Sequence, residues 1–562
     1  MGIFEIQIVI LVIILGFIYF VNKAWKQRKD SFRLKTFFLG GAQLGPTLTE
    51  HNTLGMTFAW SGGTWFFVTM AFLYGPWVAL LQIPWCLSIV IFGLLFTRIQ
   101  NATRNKTIHG FLEICYDKKV RIVACLATSF GYIFNTGFEL YWSGKLFSSV
   151  FDLNLIDLAL PVGIVLSLIT AVYCNIGGYR ANASTDKAQN ILGVLALALL
   201  AFFVAISSKS TSLIYTSIVF NTGSLIYIII SLISKKSLTS SFSKIISSFS
   251  LIIALTTIAI SLWLSLKTNT SVENSILFQI KSPPLVFLFG LIFFQLIFNI
   301  VDMANWQGVA ANGDVPIEEH NKIKWSIIRS ALYLNWFPAL GGTIVGLGLR
   351  TSMDLSLIND NNIFHFAFTT VLVGHGEIVR GFLLGIILLG FISTTLSTAD
   401  SYLMAAANTL TYDLFKNKKI KLLLLSEDPI EEKKLISQVK GILFPLSVFM
   451  VLFFWICYYF YSKIGGNVLD FQMIMYSFAI SLFTPVIYGL FSKNSQTNLL
   501  GTTTFIAILL GILSSILPYV YTLIFDVSDS LRGILVNLTP VYSFLISTLT
   551  FIIGKSLIVK KA

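Results

Sequence analysis

Six hydroxyl side chains and one carboxylate fall within nine residues of an otherwise apolar stretch: Ser393, Thr394, Thr395, Ser397, Thr398 and Ser401, with Asp400. On a helix, at about 100° per residue, Thr394, Ser397, Thr398 and Ser401 share a sector of about 100°, and Asp400 lies about 60° from Ser397. A lone Ser or Thr in an apolar helix returns its hydroxyl to the carbonyl four residues back and needs no further reading. An Asp within a turn of them does. A carboxylate at mid-membrane costs at least ~2.5–3.5 kcal/mol, and such residues line a cavity or an ion path. Hydroxyl and carbonyl oxygens are hard donors suited to alkali cations. A hydroxyl pair beside a broken helix replaces part of a Na+ hydration shell.

The elements that must hold these groups are membrane helices. The chain has 562 residues, 55% hydrophobic and 12% charged, with mean hydropathy +0.80. Soluble domains run at about 45–50% apolar and roughly 25% charged. Apolar runs of helix-spanning length recur along the chain, which predicts an all-α polytopic membrane protein and not a barrel of short alternating strands. Fifteen spans are expected, at roughly 3–21, 54–74, 77–97, 122–144, 158–175, 188–206, 212–233, 246–266, 285–305, 327–349, 381–408, 441–461, 468–490, 501–521 and 537–553. With the N-terminus outside and the C-terminus cytoplasmic, 31 of the 39 Lys and Arg fall on the cytoplasmic side, as the positive-inside rule requires. The net charge of +13 therefore follows topology rather than nucleic acid. Basic residues follow the first apolar run, whereas a signal peptide places them before it. Five cysteines without CxxC spacing read as small core residues, and the five His show no metal spacing.

Three motifs carry a family resemblance. "LSTADSYLMAAANTLTYDLF" resembles the signature helix of the sodium:solute symporter family, whose members carry sugars, amino acids, vitamins, urea or anions. "NIGGYRANASTDKAQN" (Asn175 to Asn190) resembles its GGxxAxxxTDxxQ motif. "FFLGGAQLGP" followed by "AWSGGTWFF" looks like its entry into the first core helix. In order and spacing the three cover about residues 36–500. The resemblance implies a LeuT-type fold of two inverted five-helix repeats, each with its first helix broken at mid-membrane. The implied organisation is an N-terminal extra helix and basic linker at 1–35, a first repeat at 36–206, an inserted transmembrane hairpin at 207–283, a second repeat at 284–492, and two C-terminal helices at 493–562. Ser61, Gly62 and Gly63 give the break in core helix 1 a physical basis, since each Gly weakens a helix by roughly 1 kcal/mol. The alternative is that the two Gly form a close-packing face.

By the same resemblance, Na+ would be held by the side chains of Ser397 and Thr398 and the carbonyls of Thr394, Thr57 and Trp60. Asp186, Asp400 and Ser401 occupy the places of a second cation in some members. Thr185, Asp186 and Gln189 also fit an ordinary N-cap and capping box, and one or two ions stays open. A substrate site would draw on Ser61, Gly62, Gly63 and Thr64, on Asn135 and Glu139 with Trp142 at i, i+4 and i+7, and on Asn299, Asp302 and Trp306. A carboxylate beside an aromatic suits a ligand with N–H groups or positive charge, although Trp142 and Trp306 serve equally as packing. Gln307-Gly308 stands where many members have Gln-Arg, which leaves the subfamily undefined. The expected activity is sodium-coupled import of a small organic solute across the plasma membrane, with the bilayer as partner, no nucleic acid and no enzymatic reaction. Proton coupling is one alternative. A membrane-embedded solute sensor is another, although the chain carries no kinase or receiver domain. An intramembrane aspartyl protease needs a GxGD that the sequence lacks.

Overall fold

In lipid every backbone N–H and C=O needs an internal partner, and a helix supplies one within a single segment. The computed structural model describes residues 2–28, 33–103, 107–151, 158–208, 210–233, 283–352, 363–414, 429–466, 468–492, 498–525 and 527–559, and every regular element among them is helical. In chain order the first half holds α1 (Ile3–Lys26), α2 (Leu34–Leu39), α3 (Gly45–Thr57), α4 (Phe66–Tyr74), α5 (Gln82–Thr103), α6 (Ile108–Cys115), α7 (Lys118–Phe151), α8 (Ala159–Ser207) and α9 (Thr211–Ile233). The second half holds α10 (Leu285–Val301), α11 (Met303–Ala310), α12 (Ile317–Arg329), α13 (Trp336–Ser352), α14 (Ile363–Leu372), α15 (Glu377–Asn408), α16 (Pro429–Lys463), α17 (Val468–Ile480), α18 (Phe483–Phe491), α19 (Asn498–Ile524), α20 (Asp529–Asn537) and α21 (Thr539–Val559).

Among the described residues, eleven helical segments are long and apolar enough to cross a membrane, which makes this a multi-pass membrane protein. One of them, the 49-residue α8, covers the expected span 158–175 from Ala159 onward and all of 188–206. The chain turns inside α8 at Gly178, with φ 63° and ψ −159°. A side chain there would meet the Phe37 carbonyl oxygen at 2.6 Å, so this position needs glycine for both its dihedrals and its space. The expected span 54–74 is two short helices, α3 and α4, on either side of a break, and 122–144 lies within the more polar α7. The expected span 246–266 lies outside the described residues.

Position within the protein follows polarity. In α15, which carries the hydroxyl patch, 83% of the most apolar 18-residue window is buried by protein. In α21 the share is 22% and in α1 it is 28%, which puts α15 at the centre and those two at the lipid. α15 packs against α8, α1, α7 and α3. Its buried polar residues can be accommodated because the neighbours that surround it are protein.

Candidate cation and solute site

Two interrupted helices frame the site. α3 ends at Thr57. Phe58 (φ −85°, ψ 57°) and the extended Ala59 (φ −72°, ψ 150°) break the run, and one π-helical turn, Trp60–Trp65, restarts it. The amides freed by the break find a side chain from α7: Glu139 accepts the Ser61 and Gly62 N–H groups at 3.1 Å each, and the Ser61 hydroxyl as well. α10 stops at Val301, and Asp302 starts α11 as its N-cap, accepting the Ala304 N–H at 3.1 Å.

The hydroxyl patch of α15 faces α3 and α8. Ser397 Oγ donates to Asp186 Oδ1 at 2.6 Å. Thr398 Oγ1 donates to the Gly55 carbonyl at 2.9 Å and lies 3.2 Å from the Thr394 carbonyl. Asn52 donates to Asp186 Oδ2 at 3.0 Å and reaches Ser401 Oγ at 3.5 Å. Tyr179 OH donates to Asn52 Oδ1 at 2.7 Å, which fixes the amide with its nitrogen toward the carboxylate. Asp400 accepts from Tyr173 OH at 2.6 Å and from Ser401 Oγ at 3.2 Å, while Asn182 donates to its carbonyl at 3.3 Å. Asp186, Asp400 and Ser397 are each 0% exposed. Among the described residues every hydrogen-bond partner of the two carboxylates is a neutral donor, and neither has a Lys, Arg or His nitrogen in ion-pair range. Buried carboxylates in that condition are costly unless a cation or a proton joins them.

A cleft, part of it open to solvent, adjoins this patch. Thr57 and Thr398 line it, so the hydroxyl cluster and the cleft share a wall. Gly62, Gly63, Asn135 and Glu139 also line it. Asn135 is 2% exposed, and both its amide nitrogen and its amide oxygen lack a hydrogen-bond partner.

The remaining expected residues sit behind the wall. Ser61 is turned into Glu139. Thr64 is fully buried with an unpartnered hydroxyl. Trp60 packs on Phe364 and Phe391, with ring centroids at 4.6 and 4.4 Å. Asp302 is held by its capping bond and by Tyr132 OH at 3.1 Å. Trp306 donates its indole N–H to the Ile300 carbonyl at 2.8 Å and packs on Phe111. Asn299 and Trp142 are likewise buried. Thr185 and Asp186 do not start a helix. They lie past the turn at Gly178 in continuous helix, and Thr185 Oγ1 bonds back to the Ala181 and Asn182 carbonyls.

Sequence reasoning missed Asn52, Gly55, Tyr173, Tyr179 and Asn182 on the carboxylate side, and Gln82, Gln295, Gln472 and Tyr476 on the cleft side. Tyr179 and Asn182 stand inside the quoted "NIGGYRANASTD" motif. The three glutamines are each an isolated amide in an apolar run, a signal of the same kind that singled out Asp400.

A solved structure of a Na+-coupled sialic acid symporter, in a substrate-bound outward-open state with a novel Na+ site, matches with a TM-score of 0.62 at 14% sequence identity. The match covers 97% of this chain and 98% of that one. The chain thus has the fold of that symporter over nearly its whole length. No protein-family model matches it, and no curated protein matches it in sequence.

Proposed function

We propose that the protein is a sodium-coupled symporter that imports a small organic solute by alternating access. The observation that carries this reading is the pair of buried carboxylates, Asp186 and Asp400, whose hydrogen-bond partners among the described residues are neutral donors, beside two hydroxyls and a helix break. Na+ is a cargo that such a set of oxygens fits. Ser397 and Thr398 would offer hydroxyls, and the carbonyls of Thr394, Gly55, Thr57 and Trp60 main-chain oxygen. Asp186, Asp400 and Ser401 form a candidate second cation position. The fold shared with a Na+-coupled symporter supports the class, and the sialic acid that it carries is not transferred.

In this reading the chain has fifteen spans, its N-terminus outside and its C-terminus in the cytoplasm. The repeats fall at 36–206 and 284–492, and the protein resides in the plasma membrane. Cation and solute share the wall formed by Thr57 and Thr398, so a cation drawn to that wall shapes the cleft from which solute is taken. Rocking of one helix group against the other then exposes both to the cytoplasm. A potential of −100 mV contributes about 2.3 kcal/mol per elementary charge carried inward.

A second reading rests on the same carboxylates. Two buried acids whose hydrogen-bond partners among the described residues are neutral donors also suit protonation, which makes proton coupling the rival. Uptake into liposomes under imposed Na+ or H+ gradients separates the two. Replacing Ser397→Ala together with Thr398→Ala is expected to abolish Na+-driven uptake. Uptake that keeps its sodium dependence and affinity in that double variant overturns the ion assignment.

A further inference from the structure

We propose that the protein carries a separate and chemically different cation site, for a divalent transition ion with Zn2+ foremost, formed by His109, Cys125 and Asp413. The three residues come from three elements. His109 is on α6, Cys125 on α7, and Asp413 in the π-helical turn Thr409–Leu414 that follows α15. α6 packs on α7, and both pack on that turn. One donor atom from each residue lies within 4.8 Å of the other two, and all three side chains are fully buried. No local motif joins them, because the fold brings His109 and Asp413 together across 304 residues.

The donor set selects the ion. A thiolate and an imidazole nitrogen suit Zn2+ and its neighbours in the first row, whereas hard ions take oxygen. The hydroxyls and carboxylates around Ser397 are of the hard kind, so the two places do not compete for one ion. Charge points the same way. A thiolate, a carboxylate and a divalent cation sum to zero, and buried charges are tolerated when they are paired or bind metal. On binding, the Cys125 thiol releases one proton, the imidazole stays neutral with its proton on Nε2, and no electron moves.

The surroundings already fit a bound ion. Asp413 Oδ1 is buried and, among the described residues, has no hydrogen-bond partner, although buried polar atoms almost always have one. Arg121, one turn before Cys125, is paired with Glu113 of α6 at 2.7 Å. His109 Nε2 lies 2.8 Å from Thr128 Oγ1, and the Thr128 hydroxyl hydrogen has the Ala124 and Cys125 carbonyls within reach at 3.2 and 3.3 Å. Thr128 can therefore accept the Nε2–H, which is the kind of partner a metal-bound histidine has on its other nitrogen. That leaves the Nδ1 lone pair for the metal. Nδ1 is 2.8 Å from Asp413 Oδ2. A cation at about 2.0–2.2 Å from each would widen that gap by roughly half an ångström, and the open Oδ1 offers a fourth donor.

The test uses the purified full-length protein with its affinity tag removed. It is loaded with Co2+ either by growing the expressing cells in cobalt or by incubation after chelator treatment. One Co2+ per chain is expected, with a thiolate-to-cobalt charge-transfer band, and Zn2+ is expected to displace it and to raise the unfolding midpoint. The His109 bonds to Asp413 and Thr128 do not involve the Cys125 side chain, so Cys125→Ala leaves that tie in place. It is expected to remove the charge-transfer band and to weaken Zn2+ binding at least tenfold while the metal-free protein stays folded. Cys125→Ser stands in if the alanine variant does not fold. Asp413→Asn, or Asp413→Ser in its place, is expected to weaken Zn2+ binding likewise. The proposal is overturned if the unaltered protein shows no charge-transfer band under either loading. It is also overturned if the band survives in the Cys125 variant, which would put the ion on another of the five cysteines, or if neither substitution weakens Zn2+ binding. Any of these results makes His109, Thr128 and Asp413 a hydrogen-bonded tie only, and none bears on the sodium-coupled reading, whose donors lie elsewhere.

Discussion

Gly55 sits where α3 crosses α15. A Cβ there would lie 2.2 Å from Ser397 Oγ and 3.0 Å from the Asp186 carboxylate. Forcing a methyl into such a contact typically costs about 1–3 kcal/mol and displaces the side chains that meet it. Gly55→Ala is therefore expected to weaken Na+ binding at least tenfold, read as the Na+ dependence of the unfolding midpoint. An unchanged Na+ response would mean that the Ser397–Asp186 contact is not part of the cation site. Ser397, Thr398 and Asp400 stood out in the sequence because a polar atom in an apolar run announces its own cost, whereas Asp186 was reached only through the resemblance of its motif. Asn52, Tyr173 and Tyr179 did not stand out. Their hydroxyls and amide become meaningful only through partners 134, 227 and 127 residues away, and residue spacing does not encode such contacts.

At the scale of elements, the broken helix depends on its neighbour. Glu139 on α7 holds the amides that the break sets free, so the two elements are stable only together. Glu139→Ala would leave one buried and one part-buried N–H group and a buried hydroxyl unpaired, at about 1–3 kcal/mol for each fully buried group. A loss of about 3 kcal/mol is expected in unfolding measurements. Glu139→Gln, which keeps one acceptor oxygen, should recover part of it, and equal destabilisation in both variants would refute the amide-holding role. A second junction ties three elements. His109 on α6 bonds Asp413, just past the end of α15, at 2.8 Å and Thr128 on α7 at 2.8 Å, all of them buried. His109→Ala is expected to cost about 2–3 kcal/mol by stripping buried partners, with faster hydrogen exchange in α6 than elsewhere. Exchange unchanged in α6 would show that the tie is dispensable. An interruption was expected at Ser61 to Gly63, but the chain breaks just before it, at Phe58 and Ala59, and the two glycines lie in the turn that restarts the helix. The start of core helix 5 was not legible. "STDKAQ" has the residues of a helix start, yet Gly178 had already turned the chain, and local capping signals do not reveal where the helix began.

For the whole molecule, the apolar runs sufficed to foresee a polytopic helical protein, because lipid leaves the backbone almost no other choice. The count of spans is harder to read, since a kinked helix such as α8 and a broken one such as α3–α4 blur the rule of about 20 residues per crossing. Orientation makes a direct prediction. A cysteine placed at Gly2 should react with an impermeant maleimide in intact cells, and one placed at Ser556 only after permeabilisation. Labelling of both from the same side would remove the odd number of spans.

The first helix rides close against the central one. Gly381 and Gly385 of α15 lie against Ile8 and Val12 of α1, Gly16 lies against Leu389, and Glu5 pairs with Arg380. Such a seam welds an outrigger onto the keel of the molecule. In the proposed transport cycle, spin labels on α1 and α15 should therefore keep one separation, while the distance from α1 to α4 records the stroke.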